Sequence, residues 1–144
     1  MTTTTFKFDI STSDASAALG VAVWIDNECV FQTDHLNQLH NFAHTMSDED
    51  ATHQLRIVMS GKTDDHTKVD EHGNIVQDAM LNISNITIDN IDVSQVFYTH
   101  ARYTHNFNGH QPEIEDEFFG DMGCNGSVNF AFATPIYLWL LENM

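Results

Sequence analysis

Asp64, Asp65, Asp70 and Glu71 place four carboxylates within eight residues of a polar stretch, GKTDDHTKVDEHGN. Hard oxygen donors so closely spaced suit calcium, which takes six to eight oxygen ligands. The spacing is not that of an EF-hand, which needs regularly placed acids and a closing Glu after a central Gly. Asp78 and Asp89 could add ligands from neighbouring strands. The plainer reading of the same residues is an exposed loop kept soluble by its charge. His66 and His72 could make a softer site, but no Cys accompanies them, which argues against zinc.

A second chemistry open to this chain is sugar recognition. Carbohydrate sites combine an aromatic platform with planar polar groups such as Asn, Asp, Gln and His. Tyr98, Tyr103 and His105 are the candidates. Tyr103, between Arg102 and Thr104, is expected to be exposed. Trp24 is also available to such a site, but it lies in an apolar run and is expected in the core, while Trp139 sits in the apolar closing segment, PIYLWLL.

Catalytic signals are weak. The chain carries no nucleophile elbow, no phosphate loop and no convincing Ser/His/Asp order. Glu113, Glu115 and Glu117 alternate and would share a strand face. Paired carboxylates across a cleft can hydrolyse a glycoside, but acids are common throughout this chain, so a non-enzyme is expected. The nine His read as scattered surface or hydrogen-bonding groups. His40 and His44 would share a helix face, whereas 100, 105 and 110 would alternate faces on a strand.

The elements that must position these groups are strands. Ala79 to Phe97, AMLNISNITIDNIDVSQVF, alternates Leu81, Ile83, Ile86 and Ile88 with polar residues. One slip at Ser84–Asn85 predicts a bulge. The acidic turn Asp89–Asn90 predicts a second strand through Ile91, Val93 and Val96. Leu19 to Gln32 reads as a hairpin turning at Asp26–Asn27. Residues 34–46 fit either a helix or, as favoured here, a loop followed by a strand. His53–Ser60, Phe97–Phe107, Ile114–Phe119 and Ser127–Ala133 read as further strands, and Pro135–Leu141 as a closing helical turn or two.

Eight or nine short strands about ten residues apart predict an all-β, antiparallel β-sandwich of jelly-roll type, one domain spanning 1–144. The expected core is Phe6, Phe8, Leu19, Val21, Val23, Leu55, Ile57, Met59, Leu81, Ile83, Ile86, Ile88, Val128, Phe130 and Phe132. Leu81 to Ile88 should face Leu55, Ile57 and Met59.

With 21 acidic and five basic residues, the formal net charge is -16. That disfavours nucleic acid and anionic membrane as partners. No stretch approaches the ~20 apolar residues of a membrane span, and MTTTTFKFDI lacks a signal-peptide core. A virion or the host cytoplasm is the expected location. Cys29 and Cys124 allow one disulfide or two free thiols.

Two stretches carry a resemblance. THQLRIVMSGKT (Thr52–Thr63) is similar to a strand of carbohydrate-binding jelly rolls. ISNITIDNIDV (Ile83–Val93) resembles the strand–turn–strand of calcium-dependent xylan-binding modules, in which a Gly often stands where Asn90 is here. In texture (short, acidic, rich in Thr and Asn) the chain also resembles accessory virion proteins of T4-like cyanophages. These resemblances imply a non-catalytic module on a phage particle, binding carbohydrate with calcium assistance. The alternative is a structural virion or assembly protein whose partners are other protein subunits, a homo-oligomer among the options. Exposure of Tyr137, Leu138 and Trp139 would favour that alternative.

Overall fold

Strict alternation of apolar and polar side chains puts every second residue of a strand on one face, so each such strand must cover that face with another layer. The computed structural model describes residues 2–143, without the side chain of Asp64. In chain order the strands are β1 (Thr3–Thr12), β2 (Gly20–Ile25), β3 (Glu28–Thr33), β4 (His40–Ser47), β5 (Ala51–Ser60), β6 (Thr67–Val69), β7 (Ile75–Asp78), β8 (Leu81–Ile88), β9 (Ile91–Asp92), β10 (Arg102–His105), β11 (Ile114–Glu117), β12 (Asp121–Met122) and β13 (Gly126–Thr134). Two α-helices, α1 (Ser94–His100) and α2 (Ile136–Asn143), and two short 3-10 helices, Asp64–His66 and Phe107–Gly109, complete the described elements.

The strands form two main antiparallel sheets. One runs β12-β8-β1-β4, with β9 added to β8; the other runs β11-β10-β13-β5-β2-β3. β6 and β7 form a separate hairpin. This is an antiparallel β-sandwich with a short C-terminal helix, as the sequence predicts. All fifteen residues of the expected core are buried. Ile10, Phe42, Phe97, Phe118 and Ile136 join them.

Local chemistry fixes the register. Lys7 pairs with Thr87 and Asp9 with Ser84, so β8 uses one more residue than β1 between the two pairs. The extra residue is Asn85, at φ 53°, and its amide donates to the Asp9 carboxylate at 2.8 Å. The slip in alternation is therefore a bulge, and it returns Ile86 and Ile88 to the core. Asp26–Asn27 and Asp89–Asn90 have positive φ at both positions, the backbone of the two-residue turns that suit twisted hairpins. Residues 34–46 resolve as a loop followed by β4.

Two expectations need correction. The strand after Asp89–Asn90 is only two residues long, and 94–100, expected to be extended, form α1. The Asp92 carboxylate accepts from Ser94 N at 2.9 Å and starts the turn. Phe97 is then carried inward, its ring 4.6 Å from that of Phe130. The strand expected over 97–107 is confined to β10.

The bulge makes a direct test. Asn85→Val places a β-branched residue in left-handed backbone and is expected to destabilise the fold by about 1–2 kcal/mol. Asn85→Gly keeps that backbone accessible and should lose less. Urea unfolding checks this, and a valine variant as stable as the parent would contradict the bulge assignment.

Candidate functional site

Because Leu55 and Ile57 of β5, Val128 and Phe130 of β13, and Val21, Val23 and Ile25 of β2 all point inward, their neighbours point out. Register then aligns those neighbours. Trp24 pairs with Arg56, Arg56 with Asn129, Asn129 with Arg102, and Arg102 with Glu117. One row across the outer face of the larger sheet thus carries an indole, two guanidiniums, an amide and a carboxylate.

The Trp24 end of this row lines an open cleft of about 630 Å³ with Asp26, Asn27, Thr52, His53, Gln54, Arg56, Asn129 and Ala131. Trp24 is 36% exposed, a correction to its expected place in the core. Strand parity decides it, since Val23 and Ile25 take the inward positions on either side. Arg56 also borders a second depression, with Val58, Thr104, Glu113 and Ser127. Arg102 lies in a third, with Glu115, Glu117 and Phe119. An exposed indole flanked by amide and guanidinium groups can stack on a sugar's C–H face while hydrogen-bonding its hydroxyls.

One wall of the cleft is held by a polar line. His53 Nδ1 lies 2.6 Å from Asp26 Oδ2, and His53 Nε2 lies 2.9 Å from Thr134 Oγ1. The order carboxylate, imidazole, hydroxyl is that of a nucleophilic triad. Thr134, however, is buried, and its hydroxyl meets the carbonyl oxygens of Glu49 and Ala51. It is turned into the protein and not presented to a substrate. The line instead clamps the β2–β3 turn to the end of β13. Partial burial pushes the Asp26 carboxyl up, but hydrogen bonds from His53 and from Gln54 N hold it below the ordinary carboxylate value.

The sequence-predicted sugar residues lie elsewhere. Tyr103 is buried, not exposed. Its hydroxyl donates to Cys124 O and accepts from Cys124 N at 2.9 Å, and burial pushes its titration well above that of a free tyrosine. His105 is buried beside it, ring to ring at 4.6 Å, with Nε2 3.4 Å from Asp116. Both point inward because β10 alternates Tyr103 and His105 in, Arg102 and Thr104 out. Tyr98 is half-buried on α1 and donates to Ile83 O at 3.1 Å. These three form no exposed platform.

Of the acidic loop, Asp65 and Glu71 are exposed. The Asp70 carboxylate accepts from the backbone N–H groups of His72 and Asn74, closing the β6–β7 turn. The Asp64 side chain lies outside the described residues. Asp78 is occupied by the buried Lys62 ammonium at 2.5 Å and by Thr67 Oγ1 at 2.7 Å. Asp89 accepts from Thr4 Oγ1 and Thr5 N. Among the described residues no group of three or more His, Cys, Asp or Glu could hold a metal ion. Cys29 and Cys124 are free thiols, and no described helix is long and apolar enough to cross a membrane.

Type and spacing mark Trp24 as an aromatic expected in the core and do not mark Gln54, Arg56 or Asn129. Their signal is outward parity on strands that become neighbours only in the folded sheet.

No family model matches the sequence, and no curated protein matches it. Two solved structures are similar to the fold. One is the selenomethionine form of vCBM60, described with two families of calcium-dependent carbohydrate-binding modules linked by circular permutation. It is 10% identical, covering 88% of this chain and 89% of its own, with a TM-score of 0.52. The other is vCBM60 in complex with galactobiose, 10% identical over 88% and 96% of the two chains, with a TM-score of 0.48. The fold of this chain resembles that of a carbohydrate-binding module.

The clamp has a pH signature. With its folded pKa depressed, the Asp26 carboxylate stabilises the fold at neutral pH, and the contribution disappears as pH falls through that depressed value, below the ordinary 3.8. Asp26→Asn is therefore expected to lower Tm at neutral pH and to leave a smaller difference in strong acid. An equal Tm loss at both would refute the ionic part of the clamp.

Proposed function

We propose that this protein is a non-catalytic carbohydrate-binding module whose ligand lies on the outer face of the larger sheet, over Trp24. The observation that carries the reading is the exposed indole in register with Arg56 and Asn129 above an open cleft. Indole on the sugar ring supplies apolar contact, and Gln54, Asn129 and Arg56 supply planar polar groups for the hydroxyls. The sandwich fold shared with vCBM60 supports the binding-module class.

Calcium assistance is suggested by that neighbour's description and by the acidic loop. The described side chains do not gather a calcium donor set, because Asp70, Asp78 and Asp89 are engaged by the chain itself. The contacts proposed here run through the sheet.

A second reading, a structural protein of a virion or other assembly, rests on α2, where Tyr137, Leu138 and Leu141 are exposed. That apolar face would seat another subunit.

A glycan array read with the parent and Trp24→Ala separates the readings. The parent is expected to bind a subset of oligosaccharides, with or without a calcium chelator, and Trp24→Ala to lose about tenfold in affinity, near the upper end of the roughly 0.5–1.5 kcal/mol of an aromatic contact. Binding that survives Trp24→Ala, or a parent that binds no glycan, would overturn the proposal. Binding abolished by the chelator would show that a metal takes part.

A further inference from the structure

Charge within the cleft is unusual for this chain. Only Lys7, Arg56, Lys62, Lys68 and Arg102 are cationic, against 21 acids. Lys62 is buried against Asp78. Arg102 lies 3.9 Å from Glu115, and its guanidinium donates to the carbonyls of Thr99 and Ala101. Lys7 and Lys68 are exposed on other strands, away from the cleft. Arg56 is exposed on a central strand of the larger sheet, and among the described residues it has neither an ion pair nor a hydrogen bond.

In the cleft with Trp24 the one carboxylate, Asp26, does not serve Arg56, and Glu113 of the neighbouring depression makes no ion pair with it. Asp26 gives Oδ2 to His53 and Oδ1 to Gln54 N. The guanidinium is thus left open between an indole on one neighbouring strand and an amide on the other. Its fork of N–H donors matches a carboxylate in two parallel bonds, a geometry that a neutral hydroxyl cannot fill.

We infer that the ligand is an acidic saccharide, with a uronic-acid carboxylate on Arg56 and a sugar ring on Trp24. This rests on the carbohydrate reading above and narrows its substrate class. The net charge of -16 does not oppose it at contact range, because salt screens surface charge beyond about 8–10 Å. It does select against densely charged polyanions, so isolated uronic acids in an otherwise neutral chain fit better than a polyuronide or a nucleic acid.

The experiment compares neutral oligosaccharides bearing single glucuronic-acid branches with the same material after carboxyl reduction, by isothermal titration calorimetry. Parent, Arg56→Gln and Trp24→Ala are measured, with Tm recorded for each to establish folding. The expected result is at least a tenfold weaker Kd for the parent on the reduced sugar. Arg56→Gln should show that same weakened Kd on both sugars. Equal parent affinity for the two sugars, or discrimination that persists in Arg56→Gln, overturns the acidic assignment while loss of binding in Trp24→Ala keeps the sheet-face site. Indifference of both sugars to Trp24→Ala, or no binding by the parent, overturns the site and this inference together.

Discussion

Phe6 and Phe130 meet edge to face at 6.3 Å between the two sheets, and Phe97 reaches the same place from α1. This aromatic seam is what both sheets close upon, and it is fully buried. Truncating a Phe in such a setting costs about 3–5 kcal/mol, a large share of a domain's net stability. The seam also decides the outer surface. With Phe130 and Val128 held inward, Asn129 can only face out. The β13–β5 register sets it beside Arg56, and β5–β2 sets Arg56 beside Trp24. The proposed binding row is the reverse side of the core pattern.

Charge follows a similar logic. Several acidic side chains that look available in the sequence hold backbone or a buried cation. Asp70 closes a turn, Asp89 ties the β8–β9 turn to β1, Asp78 receives the buried Lys62, and Asp26 joins β2 to β5 through His53. The high acid content is thus partly architectural. Arg56 stands out because, among the described residues, it presents cationic charge in the cleft with no ion pair or hydrogen bond from the chain.

Much of the fold was legible because alternation is local information. The fifteen expected core residues, the bulge at Asn85 and both Asp–Asn turns could be read from a few neighbouring residues each. α1 was not, because seven residues are too few for a helical period to outweigh β-branched composition, and a single Asp92 bond turns the chain. Apolar neighbours suggest a core place for Trp24 and charged neighbours an exposed one for Tyr103, but strand parity, and not the neighbours' polarity, turns the first outward and the second inward. The site itself could not be read, since Trp24, Arg56 and Asn129 lie on three strands whose adjacency exists only after the sheet is assembled.

The central claim, that ligand is bound on the sheet face opposite the aromatic seam, is tested most directly by NMR titration of the isotope-labelled chain with a glucuronic-acid-bearing oligosaccharide. Coupled, saturable shifts are expected at the Trp24 indole N–H, the Arg56 side chain and the Asn129 amide, with α2 and the 64–71 loop unmoved. Shifts confined to that loop or to the Tyr137–Leu141 face, with the Trp24 row silent, would contradict it.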